Sequence, residues 1–362
     1  MFGHIRKADK APHIALADSS RDARDRGGPA QPMLIVRGLQ KHFPIGRQTP
    51  GAPPTVVRAV DGVSLDVAKG ETLGIVGESG CGKSTTARLL MQLIKPDAGS
   101  VIFDGEGVGE FRGISVRDLR RHMQMVFQDS YASLNPRLTV RDSIAFGPEI
   151  LGMSGAEARR RADSILQTVG MEPSMFAHRY PHELSGGQRQ RVNIARALAM
   201  GPRLLILDES VSALDKSVEA QVLNLLQRLK KQLGLTYIFI SHDLNVVQYI
   251  SDRVLVMYLG LVVEAGPVDL IYDSPRHPYT AALLSSRPSM DPDRRATKPP
   301  LSEDPPNPID PPSGCRFRTR CPRAQAICAE QMPSLTPAPN EPRHQSACHF
   351  PLAAPVSLHA TA

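Results

Sequence analysis

The chain has 362 residues, an apolar fraction of 41% and a formal net charge of +7. Leu, Ile and Val run along most of that length, enough to core one large domain with an appendage, or two domains. The basic balance suits solubility, nucleotides or an anionic membrane face; no Lys/Arg block is long enough to favour nucleic acid, and no run of about 18 apolar residues is present to span a membrane.

Residues 1–32 open with mixed charges (Arg6, Lys7, Asp9, Lys10, then Arg21 to Arg26) and lack the apolar stretch of a secretory signal. They predict a disordered leader and a cytosolic setting, where cysteines stay reduced unless they bind metal. Met33–Val36 and then Leu39–Pro44 begin the ordered part, and Gln48–Pro54 is a Pro/Gly-rich loop. Val56–Val60 and Val63–Val67 alternate with period two, as two half-buried antiparallel strands do.

Thr72–Val76 is an apolar strand leading into Gly77, Glu78, Ser79, Gly80, Cys81, Gly82, Lys83, Ser84 and Thr85, and a helix-prone stretch follows to Met91. That is the G-x-x-x-x-G-K-[ST] spacing of a phosphate-binding loop between strand and helix. Its glycines let successive N–H groups face an anion, and the helix start adds the positive end of its dipole. Lys83 is placed to reach the β/γ-phosphates and Ser84 to hold Mg²⁺, while Cys81 fills space.

Ser100–Phe103 predicts a strand, Arg117–Arg121 a helix, and Met125–Asp129 a short strand with Gln128 at its polar end. Leu138–Met175 turns helical, with Ser154 as a cap before Ala156–Leu166, so about 131–181 reads as a helical insertion. Leu184, Ser185, Gly186, Gly187 and Gln188 form a second glycine-containing helix start, ahead of Arg189–Met200. It is either a phosphate site or a plain cap, and two phosphate-binding starts in one chain hint at a dimer sandwiching nucleotide. Leu204–Leu207 is a buried apolar run ending in Asp208 and Glu209. A carboxylate there holds Mg²⁺, and its neighbour is a candidate general base. Lys216–Leu233 has a 3.6 period closed by Gly234, Tyr237–Ile240 is another buried strand before His242, and Val254–Val263 reads as two strands around a turn. At its strand end Gln128 suits orienting water or ligating Mg²⁺, and His242 suits the γ-phosphate. The alternation predicts an α/β fold with a mainly parallel sheet, its site at the carboxyl ends of the strands.

Residues 286–313 are proline-dense and read as an extended linker; 314–350 hold Cys315, Cys321, Cys328 and Cys348, and 351–362 form a tail. The cysteine spacing fits neither common zinc fingers nor ferredoxin runs, leaving a metal site or uncoordinated thiols.

In their order across 33–285 these motifs resemble those of the ATP-binding-cassette (ABC) ATPases: Gly77–Ser84 as Walker A, Gln128 as Q-loop, Leu184–Gln188 as signature, Leu204–Asp208 as Walker B, Ser212–Asp215 as D-loop and His242 as switch histidine. The resemblance implies a P-loop NTPase core with an N-terminal antiparallel β subdomain, an inserted helical subdomain and a small Cys-rich extension. It implies ATP and Mg²⁺ as ligands, Glu209 as catalytic base, Phe43 stacking on adenine, and Ser185 and Gly187 closing on the ATP of a second subunit. The segments Phe127–Pro136, Arg276–Thr280 and the cysteine tail are similar to ATP-binding subunits of oligopeptide/dipeptide importers, including nickel systems. That implies a paralogous second cassette, two membrane permeases, a solute-binding protein acting indirectly, a place at the cytoplasmic membrane face, and a [4Fe–4S] cluster, or zinc, on the four thiolates. Ser210 departs from the proline usual in that family. The rivals are a soluble ABC ATPase switching on ribosomes or nucleic acid, which usually has tandem cassettes or a long coiled coil, and an exporter ATPase, against which the His277–Thr280 segment argues.

Overall fold

The computed structural model describes residues 28, 30–46, 55–287 and 306–353. Most of the expected leader, the Gln48–Pro54 loop, most of the proline-dense linker and the end of the tail lie outside them.

An antiparallel layer comes first: β1 (Leu34–Pro44) and β2 (Val56–Val67) pair, and β1 pairs on its other side with β4 (Ala98–Phe103), which pairs with β5 (Glu106–Gly107); β3 (Thr72–Val76) lies between them in the chain but belongs to the main sheet. The two strands expected over 56–67 are one. Register shifts between Val36 and His42 absorb Gly38 and Gly62, both at positive φ, so the ladder bulges and resumes instead of turning.

The main sheet continues with β6 (Met123–Val126), β7 (Leu204–Asp208), β8 (Thr236–Ile240), β9 (Arg253–Tyr258), β10 (Leu261–Pro267), β11 (Thr336–Ala338) and β12 (Glu341–Ser346), in the order β11-β12-β10-β9-β3-β8-β7-β6. From β9 to β6 every pairing is parallel. Alternate residues of these strands enter two cores: Leu205, Leu207, Tyr237 and Phe239 pack on the helical side, Leu204, Ile206, Ile238 and Ile240 on the side of the antiparallel layer. Burial on both faces is why these strands read as unbroken apolar runs. The strand expected over 125–129 ends at Val126, because Asp129 Oδ1 accepts the N–H groups of Tyr131 and Ala132 and turns the chain.

The helices are α1 (Lys83–Leu90), α2 (Val116–His122), α3 (Val140–Ile150), α4 (Gly155–Thr168), α5 (Pro173–Phe176), α6 (Gly186–Ala199), α7 (Lys216–Leu233), α8 (Leu244–Ile250), α9 (Val268–Asp273), α10 (Pro278–Ser285) and α11 (Ala326–Glu330). Ser154 and Glu157 close a capping box on α4, and Gly234, at φ 61°, ends α7. Helices α3, α4 and α6 contribute Ile144, Ile165 and Ile194 to the same core as α7. The cysteine-bearing segment is built into the sheet: β12 pairs antiparallel with β10 and carries β11 beyond it.

Candidate active site at the carboxyl ends of the parallel strands

The loop after β3 turns into α1 on Gly82, whose φ of 106° is open to glycine; a Cβ there would stand 2.2 Å from the Ala59 carbonyl oxygen. No side chain caps α1, so its first N–H groups face the loop, the arrangement that receives an anion. Lys83 is buried and donates to the carbonyls of Gly77 at 2.8 Å and Glu78 at 2.9 Å. Its ammonium thus arches over the backbone that Ser79 and Gly80 expose. Cys81 is buried beneath, its thiol pushed up by burial.

The end of β7 meets this loop. Ser84 donates its hydroxyl to Asp208 Oδ1 at 3.0 Å. Burial raises the Asp208 pKa, and the Glu209 charge adds to that rise against the Ser84 hydrogen bond. A hydroxyl and a costly buried carboxylate side by side suit a hard divalent cation. Among the described residues no group of three or more His, Cys, Asp and Glu side chains is arranged to hold a metal ion; a Mg²⁺ ion held by Ser84 and Asp208 would take its other ligands from phosphates and water.

Glu209 follows at φ 46°, a left-handed conformation rare for a non-glycine residue, with its N–H bound to the Ile240 carbonyl at 2.9 Å. This strained position aims its carboxylate across the strand ends. Gln128 Nε2 donates to Glu209 Oε2 at 2.8 Å, and His242 Nδ1 lies 3.5 Å from the same oxygen. Three polar side chains from the ends of β6, β7 and β8 therefore converge on one point.

Ser185 and Gln188 are engaged with each other: the Gln188 N–H reaches Ser185 Oγ at 3.4 Å and the Ser185 N–H reaches Gln188 Oε1 at 3.0 Å. This caps α6 and leaves Ser185 exposed. Farther along, α6 grips the segment after Gln128: Asn193 donates to the Ser130 carbonyl at 2.9 Å and Arg196 to that of Ser133. Gly187 packs on the start of α7, where a Cβ would meet Val218 Cγ1 at 2.4 Å, while Gly186 faces Leu214 beside Asp215. Asp215 stands at the N-terminus of α7 without a side-chain cap bond. Phe43 is half-buried on β1 with the Lys41 ammonium 5.6 Å from its ring centre.

Residues 60–212 match the family model described as "ABC transporter", and 263–328 match "Oligopeptide/dipeptide transporter, C-terminal region". Over 318 residues the chain is 51% identical to "Probable peptide ABC transporter ATP-binding protein y4tS" of Sinorhizobium fredii, covering 88% of this chain and 89% of that protein. It is 49% identical over 326 residues to "Oligopeptide transport ATP-binding protein AppF" of Bacillus subtilis, covering 88% and 97%. The chain belongs to the ABC transporter ATP-binding proteins. Among solved structures the cassette MJ0796, in a dimeric post-hydrolysis state with ADP and Pi, superposes with a TM-score of 0.56 at 31% identity over 65% of this chain and 99% of that one. The cbiO1 cassette of Clostridium perfringens gives 0.57 at 30% identity over 67% and 90%.

This ABC ATPase binds ATP with Mg²⁺ and hydrolyses it. Two of its site contacts had no sequence signal. Tyr279 Oη accepts the Glu78 N–H at 2.9 Å, and Arg320 forms two bonds to the Glu78 carboxylate. Neither lies in a nucleotide motif; only docking of the C-terminal segment brings them to the phosphate loop. Cys315, Cys321, Cys328 and Cys348 all line one cavity with His349 and Phe350. Cys315 is pushed up to about 11, mainly by burial and further by the other three thiols.

Proposed function

We propose that this chain is the ATP-hydrolysing subunit that energises import of di- and oligopeptides through a membrane ABC transporter. The convergence of Gln128 and His242 on one oxygen of Glu209, beside the Ser84–Asp208 pair, carries the hydrolytic part of this reading. Glu209 takes a proton from the attacking water, Gln128 orients that water, and His242 donates to the γ-phosphate. Lys83 and the N–H groups of the loop neutralise charge developing on the phosphates. Phe43 stacks on adenine. The exposed Ser185, with Gly186, Gly187 and Gln188, serves the nucleotide of a second, paralogous cassette, and Asp215 lies at the same seam.

The match of 263–328 to the oligopeptide/dipeptide transporter region and the names of the relatives support peptides as cargo. No helix among the described residues is long and apolar enough to cross a membrane. Two permease subunits supply the channel, and a solute-binding protein delivers cargo to them from outside. The exposed Phe146 and Ile150 of α3 sit one turn apart and offer an apolar footing for permease helices at the cytoplasmic membrane face. Glu209→Gln leaves ATP binding intact and abolishes phosphate release; normal turnover by that variant would remove Glu209 as base. In cells, the same variant loses uptake of a labelled tripeptide, and undiminished uptake excludes peptides as this subunit's cargo.

For the four cysteines we propose a [4Fe–4S] cluster, with zinc as the second candidate: they line one cavity, although as they stand they do not form a group of three or more arranged to hold a metal ion, so binding would have to draw them together. Anaerobically purified protein then shows visible absorbance with matching iron and sulfide. Colourless protein with stoichiometric zinc selects the alternative.

A further inference from the structure

The loop Cys315–Cys321 carries two arginines that leave the cysteines and enter the nucleotide-binding core. Arg316 donates to the Leu259 carbonyl and to Asp61 Oδ2. Leu259 and Gly260 form the β9–β10 turn, and the Gly260 N–H holds the Cys81 carbonyl at 2.9 Å. Asp61 in turn pairs through Oδ1 with His42 at 2.9 Å, next to Phe43 on β1. Arg316 thus grips both the phosphate-loop support and the antiparallel layer.

Arg320 reaches the phosphate loop itself. Its side chain is 4% exposed, and its two terminal nitrogens bond the two Glu78 oxygens at 2.8 and 3.0 Å. The backbone of Glu78 is held too, by Tyr279. Behind these groups Phe317 is fully buried edge-on against Tyr258 and Tyr279, each with ring centres 5.4 Å away. The second residue of a loop built for a polyanion therefore bears a carboxylate whose charge is cancelled from the C-terminal segment. Without that guanidinium the carboxylate repels the incoming phosphates, and the loop loses a two-point brace.

We propose that Arg320 is a positioning residue of the ATP site, and that the Cys315–Cys321 loop is coupled through it to nucleotide affinity. Whatever fixes the two flanking thiols fixes Arg320, and with it the charge and place of Glu78. The inference rests on the reading of Gly77–Thr85 as the ATP site. Coupling through a contiguous chain of bonded groups is reciprocal, so nucleotide in the loop also steadies the cysteine segment.

The test uses the full-length chain, with ADP titrated by calorimetry, steady-state ATP turnover, and hydrogen exchange of residues 315–321. Arg320→Gln raises the ADP Kd and the KM for ATP by about tenfold, and kcat at saturation changes by less than about twofold. Arg320→Lys recovers part of the affinity, since a point charge replaces the fork. Glu78→Gln in the Arg320→Gln background restores affinity, because the uncompensated carboxylate is gone. ADP slows exchange across 315–321 in the native chain and not in Arg320→Gln. If Arg320→Gln does not fold, Glu78→Gln alone is read for loss of that protection. Unchanged ADP affinity in Arg320→Gln, no rescue by Glu78→Gln, or persistent protection in either variant overturns the proposal. A native chain that binds no ADP would instead reject the ATP-site reading itself.

Discussion

Helices α1 and α6 both start on glycine-bearing turns, and the two starts are built in opposite ways. Helix α1 begins on Gly82 with no side-chain cap, so the donors of its first turn stay open above a buried lysine. Helix α6 begins on Ser185, whose hydroxyl and N–H are both engaged by Gln188. An orphan N–H must find a partner. At α1 that partner is left for a ligand within the same chain, and at α6 the chain satisfies itself while keeping Ser185 on the surface. A glycine-rich helix start thus keeps its own first-turn donors open for an anion where the cap is withheld, as at α1 and not at α6.

The largest test of that contrast is Lys83→Met. Removing the buried ammonium from the open start lowers kcat/KM for ATP by about a thousandfold in a phosphate-release assay; near-normal turnover would erase the distinction between the two starts. Next come the glycines. Gly82→Ala puts a Cβ against backbone at a positive φ and costs about 2–4 kcal/mol in denaturant unfolding. Gly187→Ala meets only a valine methyl at an ordinary φ and costs about 1–2 kcal/mol. Equal losses would mean that the tight approach at Gly82 is not special. The smallest effect belongs to the cap: Ser185→Ala or Gln188→Ala lowers stability by about 1 kcal/mol. Either leaves ADP affinity of the single chain unchanged by calorimetry, and a change in that affinity would place α6 at its own chain's nucleotide.

Much of the site was legible in the sequence because each piece is carried by a local pattern. The strand before Gly77, the apolar run before Asp208 and the strand before His242 announce themselves by unbroken hydrophobicity, since each is buried on both faces. Two strand ends were misjudged for equally local reasons. The Asp129 turn stops β6 early, and bulges merge what looked like two strands into β2. The strain at Glu209 carries no such mark, because its φ depends on the Ile240 carbonyl across the sheet.

The order of the nucleotide motifs, the two-faced burial of the central strands and the capped helices follow from the sequence alone, for they rest on residue spacing along one stretch of chain. Only the tertiary structure joined the cysteine segment to the sheet edge through β12 and set Arg320 on Glu78, 242 positions away. An ion pair between two docked segments leaves no period in either of them. It exists because the aromatic packing of Tyr258, Tyr279 and Phe317 holds both segments to one surface, and that packing is a property of the folded chain.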